Sequence, residues 1–280
     1  MPIITQKLAS FNAVAPGSTA SVKLPATVTY AAIDIEVKHG GALMSLADMK
    51  TKIKRVRLMI EGHALWNMTG KTLVERNAFY GLNAADGLGI LSLVFAEGYL
   101  DNPSNEDALA LGTADLTNVT IEIELAADIV APVLEGTAQI YSGANTPVGR
   151  MIRLEDTHYS AGGAGIFQIS DLPVVGAGVG LKALHFTTDK IDHVEIKGNT
   201  VILYEMNKQV NQAVLDRRTQ RTMKRTPQAG YWHLDIAANR LADMIATEGF
   251  RDFRLKLTMS EGGVSFAVIH ELVVQVQTSI

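Results

Sequence analysis

The sequence predicts an all-β chain of two tandem eight-stranded sandwiches, each with a short helix insertion. Three observations predict it. Apolar and polar residues alternate over short stretches. Turn-forming residues punctuate these stretches at close intervals. The same plan then occurs twice along the chain.

The clearest strands are "VTIEIEL" and "FRLKLTM". In the first, Val119, Ile121, Ile123 and Leu125 lie on one face and Thr120, Glu122 and Glu124 on the other. In the second, Phe253, Leu255, Leu257 and Met259 oppose Arg254, Lys256 and Thr258. Such alternation marks a sheet with one face buried and one exposed. The segments "GGAL", "EGH", "DNPSN", "SGANTP", "AGGAG" and "SEGG" read as turns. Helical stretches follow the early strands in each half, "TGKTLVERNAFYG" and "LYEMNKQVNQAVLDRRTQ". Thr72 and Glu75 have capping-box spacing.

Leu24-Pro25 matches Leu172-Pro173, and Ile33 and Ile35 match Leu184 and Phe186. "IKRVRLMIEG" from Ile53 matches "IDHVEIKG" from Ile191 with a two-residue deletion. "LGILSLVFA" then matches "AGYWHLDIA", and Leu116, Val119, Ile121 and Ile123 match Phe250, Phe253, Leu255 and Leu257. Each half closes on a further strand. The separation drifts from 148 (172 − 24) to 134 (253 − 119), as loop insertions such as "GGALMSLADMK" would produce. A unit this long is a domain and not a solenoid repeat. Seven or eight short strands per half suit a sandwich, whose common eight-stranded form is the jelly roll. The domains are therefore expected at 1–145 and 166–280, with a linker at 146–165 inside the Gly-, Ser- and Pro-rich stretch Ser142 to Gly165.

The chain's 280 residues suffice for two cores, and 47% apolar against 19% charged residues marks a globular protein. A net charge of −4 argues against a general nucleic-acid coat. The absence of cysteine excludes disulfides, thiolate metal sites and cysteine nucleophiles. No secretory signal is evident, and no window reaches about 18 uninterrupted apolar residues, so no membrane-spanning helix is expected.

Two motifs imitate nucleotide sites. Gly176, Gly178 and Gly180 suggest a dinucleotide loop, but Leu181 occupies the last glycine's place and a strand pattern follows. "TGKT" at Thr69 to Thr72 lacks the first glycine of a phosphate loop, since Leu65 stands there.

The order of "VKLP…TY..ID" (Val22 to Asp34), "ALGTADLT" (Ala110 to Thr117), "SDLP" (Ser170 to Pro173) and "AVLD" (Ala213 to Asp216) resembles the corticovirus major capsid proteins, from membrane-containing marine bacteriophages. The resemblance implies a double jelly roll that forms homotrimers. Such trimers act as pseudo-hexameric tiles of an icosahedral shell around an internal membrane and double-stranded DNA. It further implies a structural, non-enzymatic role in a virion assembled in the host cytoplasm. The implied neighbours are other capsid trimers and a penton or vertex protein, with internal membrane proteins and without direct nucleic-acid contact. The competing reading is a carbohydrate- or receptor-binding module of the same fold, which would display loop aromatics. Only Trp66 and Trp232 are present, and the position of Trp232 suits a core.

Four groups of residues are candidate sites. No cofactor is expected unless Asp101, Asn105, Glu106 and Asp107, which offer hard oxygen ligands, hold calcium, although Glu106 replaces the EF-hand glycine. His185, His193 and His233 with Asp192 and Asp235 could be assembled into a metal or acid–base centre, but no H-E-x-x-H-like spacing is present. Arg217, Arg218, Arg221, Lys224 and Arg225 form a basic run suited to a solvated or subunit-facing patch. Finally, Glu122 and Glu124 carry charge opposite to that of Arg254 and Lys256 on the equivalent strand, which suits a complementary interface between copies.

Overall fold

The computed structural model describes residues 2–96, 109–219, 225–238 and 241–276. The chain divides into two compact units, with Leu154 in the first and Glu155 in the second. In the first unit the elements run β1 (Ile3–Lys7), β2 (Thr19–Lys23), β3 (Tyr30–His39), β4 (Ala42–Leu43), α1 (Leu46–Lys52), β5 (Ile53–Ile60), β6 (His63–Met68), α2 (Gly70–Tyr80), β7 (Ile90–Val94), β8 (Val119–Leu125) and β9 (Val133–Tyr141). Strand β10 (Arg150–Ala161) passes through the boundary. The second unit continues with β11 (Gly165–Ile169), β12 (Gly180–Phe186), β13 (Ile191–Gly198), β14 (Val201–Asn207), α3 (Lys208–Thr219), β15 (Trp232–Asp235), β16 (Ile245–Ala246), β17 (Phe253–Met259) and β18 (Val264–Gln275). Among the described residues no helix is long and apolar enough to cross a membrane.

Each unit is a sandwich of two antiparallel sheets, and the strand order is the same in both. In the first unit one sheet runs β1-β9-β3-β7, with the short β4 also on β3, and the other runs β2-β8-β5-β6. In the second unit the orders are β10-β18-β12-β15 and β11-β17-β13-β14. This interleaving of consecutive strands between two sheets is the jelly-roll order. The alternation read from the sequence supplies the cores: Ile121, Ile123, Leu255 and Leu257 are fully buried, as are Ile33, Ile35, Leu184 and Phe186. Full burial of one such side chain contributes roughly 1.5–3 kcal/mol.

The duplication extends to irregularities. The β5–β8 ladder shifts register between Ile53 and Arg55, and β13–β17 shifts between Ile191 and His193. The β5–β6 hairpin shifts after Leu58, and β13–β14 shifts after Ile196. All these positions correspond at a constant 138 residues (191 − 53), so the strands align without the two-residue deletion inferred from the sequence. That alignment went astray because Glu61-Gly62 was matched to Lys197-Gly198, whereas the turn residue equivalent to Glu61 is Asn199. Both adopt positive φ, 48° and 54°. Both side chains accept hydrogen bonds from two consecutive backbone N–H groups: Glu61 from Thr117 and Asn118, Asn199 from Arg251 and Asp252. These bonds hold the Glu61 carboxyl below the usual carboxylate range.

Local chemistry departs from expectation in four places, the first being that residues 203–207, expected to open the second unit's helix, form the end of β14 while α3 starts at Lys208. Helix α2 is capped by Thr69, whose Oγ1 accepts from the backbone N–H of Thr72, and the helix stops at Gly81 in the left-handed region. The Thr72–Glu75 capping box does not form, because Thr72 already lies within the first turn and Glu75 pairs with Lys50. The insertion "GGALMSLADMK" builds β4 and the start of α1, with Ser45 as cap, giving the first unit a second helix. Within the expected linker 146–165, residues 150–161 form β10. Glycine and proline flank that strand, while its own Met151, Ile152 and Leu154 are buried.

The glycines of "VVGAGVG" form a turn, with Val179 N–H donating to Gly176 O, before β12 begins at Gly180.

Candidate functional site

The most organised chemistry in the chain is a polar layer on the sheet formed by β15, β12 and β18. On β12, "GLKALHF" is buried at every position. Core packing accounts for Leu184 and Phe186, and Phe186 meets Trp232 edge-on at 5.8 Å. His185 takes the alternate position, and a bulge between Leu181 and Ala183 brings Lys182 to the same carboxylate. Directly across from His185 is His233 of β15, and Glu271 of β18 sits opposite Ala183.

The hydrogen bonds among these groups have one consistent direction. Gln228 donates its backbone N–H to His233 Nε2 (3.2 Å), so His233 carries its proton on Nδ1. That proton points at His185 Nδ1 (2.8 Å). His185 then holds its proton on Nε2 and donates to Glu271 Oε1 (2.9 Å), while Lys182 Nζ donates to Oε2 (3.0 Å). Lys182, His185 and Glu271 are fully buried and His233 nearly so. On the same strand as His233, Asp235 accepts from Arg225 Nε at 2.6 Å. Burial, together with the neighbouring His185, pushes the His233 pKa well below its usual value.

The first unit holds the same arrangement in different residues. Ser92 Oγ of β7 donates to Asp34 Oδ1 of β3 (2.6 Å), and Gln139 Nε2 of β9 donates to Asp34 Oδ2 (2.8 Å). Asp34, Ser92 and Gln139 occupy the register positions of His185, His233 and Glu271. Each helix adds the same tether: Asn77 Nδ2 donates to Ser92 O, and Asn211 Nδ2 donates to His233 O, both at 2.8 Å. Lys182 stands at a bulge whose counterpart is Ala31, where the first unit packs alanines. The layer fixes strand register and helix seating, and its buried atoms do so without exposure to solvent.

Of the histidines and aspartates singled out from the sequence, the structure joins His185 with His233 and places Asp235 on the same strand. His193 lies on β13, paired with Glu205 at 3.0 Å on the surface, and Asp192 is exposed beside it. Among the described residues no three His, Cys, Asp or Glu side chains are grouped to hold a metal ion. Sequence reasoning missed Lys182 and Glu271. A lysine and a glutamate inside otherwise apolar β-runs were the available signal. In the basic run, Arg225 is buried against Asp235, Arg217 sits on α3, and Arg221 and Lys224 fall outside the described residues, as do Asp101, Asn105, Glu106 and Asp107.

Protonating His233 requires displacing the Gln228 N–H from Nε2. Its folded pKa is depressed, so its contribution is present above pH 6.5 and is lost as pH falls below that value. Stability is expected to decline by up to about 1.4 kcal/mol per pH unit there. Urea unfolding at several pH values, followed by tryptophan fluorescence, measures this slope. His233→Gln should flatten it, and an equal slope in that variant contradicts the assignment.

The charged strand faces pair within their own units. Arg57 reaches Glu122 at 3.6 Å and Glu124 at 3.3 Å, while Lys256 lies 3.7 Å from Glu195 and Arg254 2.8 Å from Asp252. Arg57 opposes Glu122 where Glu195 opposes Lys256 in the second unit, so the cross-strand pair is duplicated with its charges exchanged.

Comparison with known proteins decides what such a duplicated sandwich is. Residues 5–141 match the family model for the viral coat protein P2 N-terminal domain, and residues 151–276 match the viral coat protein P2 C-terminal domain. The chain belongs to the viral coat protein P2 family. Among solved structures, this coat protein is similar to the major capsid protein P2 of bacteriophage PM2, at 20% identity and a TM-score of 0.85, with 99% of each chain covered. It is also similar to the STIV major capsid protein (11% identity, TM-score 0.66, covering 98% of this chain and 97% of that one). A third likeness is to the PBCV-1 virus capsid (10% identity, TM-score 0.66, covering 99% and 97%). No curated protein matches by sequence. The P2-family chain is thus a double jelly-roll capsid protein and a component of the virion, which assembles with other capsid subunits.

Proposed function

We propose that this coat protein is a homotrimeric major capsid subunit, a structural protein without catalytic activity. Its trimers present six sandwiches and tile an icosahedral shell. The observation that carries this is the repetition of one strand order, with its bulges and turn latches, in both units. Three copies of a molecule made of two like domains supply six near-equivalent edges, which closed cyclic symmetry can arrange as a hexagon. The corticovirus resemblance supports an internal membrane and double-stranded DNA within the shell, a separate vertex protein, and assembly in the host cytoplasm. Light scattering on the purified protein tests the trimer: three chains of 30.2 kDa give about 91 kDa. A mass of one chain at micromolar concentration contradicts it.

The exchanged charges at Glu122 and Glu124 against Arg254 and Lys256 complement one another between copies and disfavour like-with-like pairing. Reversing Lys256 alone would set two glutamates opposite each other, because Glu195 is its cross-strand neighbour. The triple variant Glu195→Lys, Arg254→Glu, Lys256→Glu keeps an opposite-charge pair and inverts the outward face. It should shift the oligomer towards smaller species at equal concentration, with little change in unfolding midpoint. An unaltered oligomer removes these residues from the interface.

A further inference from the structure

Two open sheet edges in this chain match a pair of strands that is closed elsewhere in it. Strand β1 is bonded to β9 on one side and meets no strand on the other among the described residues. All of its residues are exposed, including Ile3 (50%) and Ile4 (48%), which point to opposite faces. Strand β14 is bonded to β13 on one side and likewise ends its sheet. It exposes Val201 (59%) and Ile202 (48%). Adjacent exposed β-branched residues on an open edge invite pairing with another strand.

The internal repeat says which strand. By strand order, β10 is the counterpart of β1 and β14 is the counterpart of β6. Within the chain β6 is bonded to β10, and this closed edge buries Leu65, Trp66 and Met68. Trp66 Nε1 donates to Ile152 O of β10 at 2.8 Å. At the places of Leu65 and Trp66, β14 has Leu203 and Tyr204, both only half-buried. Ser265 Oγ donates to Ser160 Oγ across β10 and β18, a register that puts Ile152 at the position Ile3 takes against β9. The β6–β10 contact is therefore made inside one chain, and its equivalent, β14 with β1, is left unmade.

We propose that β14 of one copy takes up β1 of a second copy, so that the chain completes its own missing edge by strand addition between subunits. The contact is heterologous: each copy gives β1 to one neighbour and receives β1 from the other, and such a contact closes into a ring when the rotation allows. Tyr204 stands against Ile3 of the neighbour, as Trp66 stands against Ile152. This deepens the trimer reading and rests on it, since closure after three copies comes from that reading.

The chain has no cysteine, so introduced thiols report only on the designed contact. Cysteine is placed at Ile3 or Ile4 together with cysteine at Ile202, Tyr204 or Met206, and each double variant is mildly oxidised and run on a denaturing, non-reducing gel. At least one pairing should yield a covalent species of three chains, about 91 kDa from 30.2 kDa each. Ile3→Cys or Tyr204→Cys alone should stay at one chain length. A trimer by light scattering that gives no ladder in any pairing overturns the strand exchange and leaves the trimer standing. Thiols that vanish while every band stays at one chain length place the bond inside a single copy and overturn it equally. An unmodified protein that scatters as a single chain overturns both.

Discussion

Replacing Glu271 with alanine is expected to destabilise the protein by about 3–5 kcal/mol, the cost typical of breaking a buried ion pair. The Lys182 ammonium and the Glu271 carboxylate are both fully buried, 3.0 Å apart. Removing the carboxylate leaves a cation in an apolar interior and takes the acceptor from His185 Nε2. The first unit shows how the defect can be repaired. Its counterparts of Lys182 and Glu271 are Ala31 and Gln139, a neutral combination that holds the same triad. Lys182→Met with Glu271→Gln should therefore cost far less than Glu271→Ala, because no charge is stranded and His185 keeps an acceptor. Urea titration of the three proteins checks the order. A Glu271→Ala variant within 1 kcal/mol of the parent would mean that the pair is not ionised in the folded state.

Trp66→Ala should cost a further large amount, about 3–5 kcal/mol, as deletion of a buried aromatic does. The ring is 1% exposed, lies 5.2 Å from Phe95, and spends its one donor on Ile152 O. Trp66→Phe keeps most of the volume but strands that carbonyl, and is expected to lose about 1–3 kcal/mol. Each unit contains one of the two tryptophans, so Trp66→Phe also leaves Trp232 as a clean fluorescent probe of the second unit. Thermal unfolding by circular dichroism ranks the variants. Equal losses for Ala and Phe would assign the whole effect to the hydrogen bond.

The fold was legible wherever one residue type repeated with the period of a strand. Val119 to Leu125 and Phe253 to Met259 are buried on alternate positions as read. The duplication was legible because hydrophobic side chains at equivalent positions were retained in kind. The polar layer was not. Asp34 and His185 share a position but no chemistry, and Ala31 and Lys182 share a bulge whose existence depends on a partner strand 107 residues away in the first unit (139 − 32). The latch of Glu61 and Asn199 was hidden for the same reason, since what is duplicated is a backbone need for an acceptor that two different side chains satisfy. The surface charges were read correctly as opposite in sign. Their cross-strand partners Arg57 and Glu195 became visible only once register was known.

The central claim is that one sandwich, made twice, lets three chains form a six-cornered tile. Class averages of the purified oligomer in the electron microscope measure this directly. The account predicts a threefold particle with six lobes of similar size around its rim. Particles of any other symmetry, or single two-lobed chains at micromolar concentration, would contradict it.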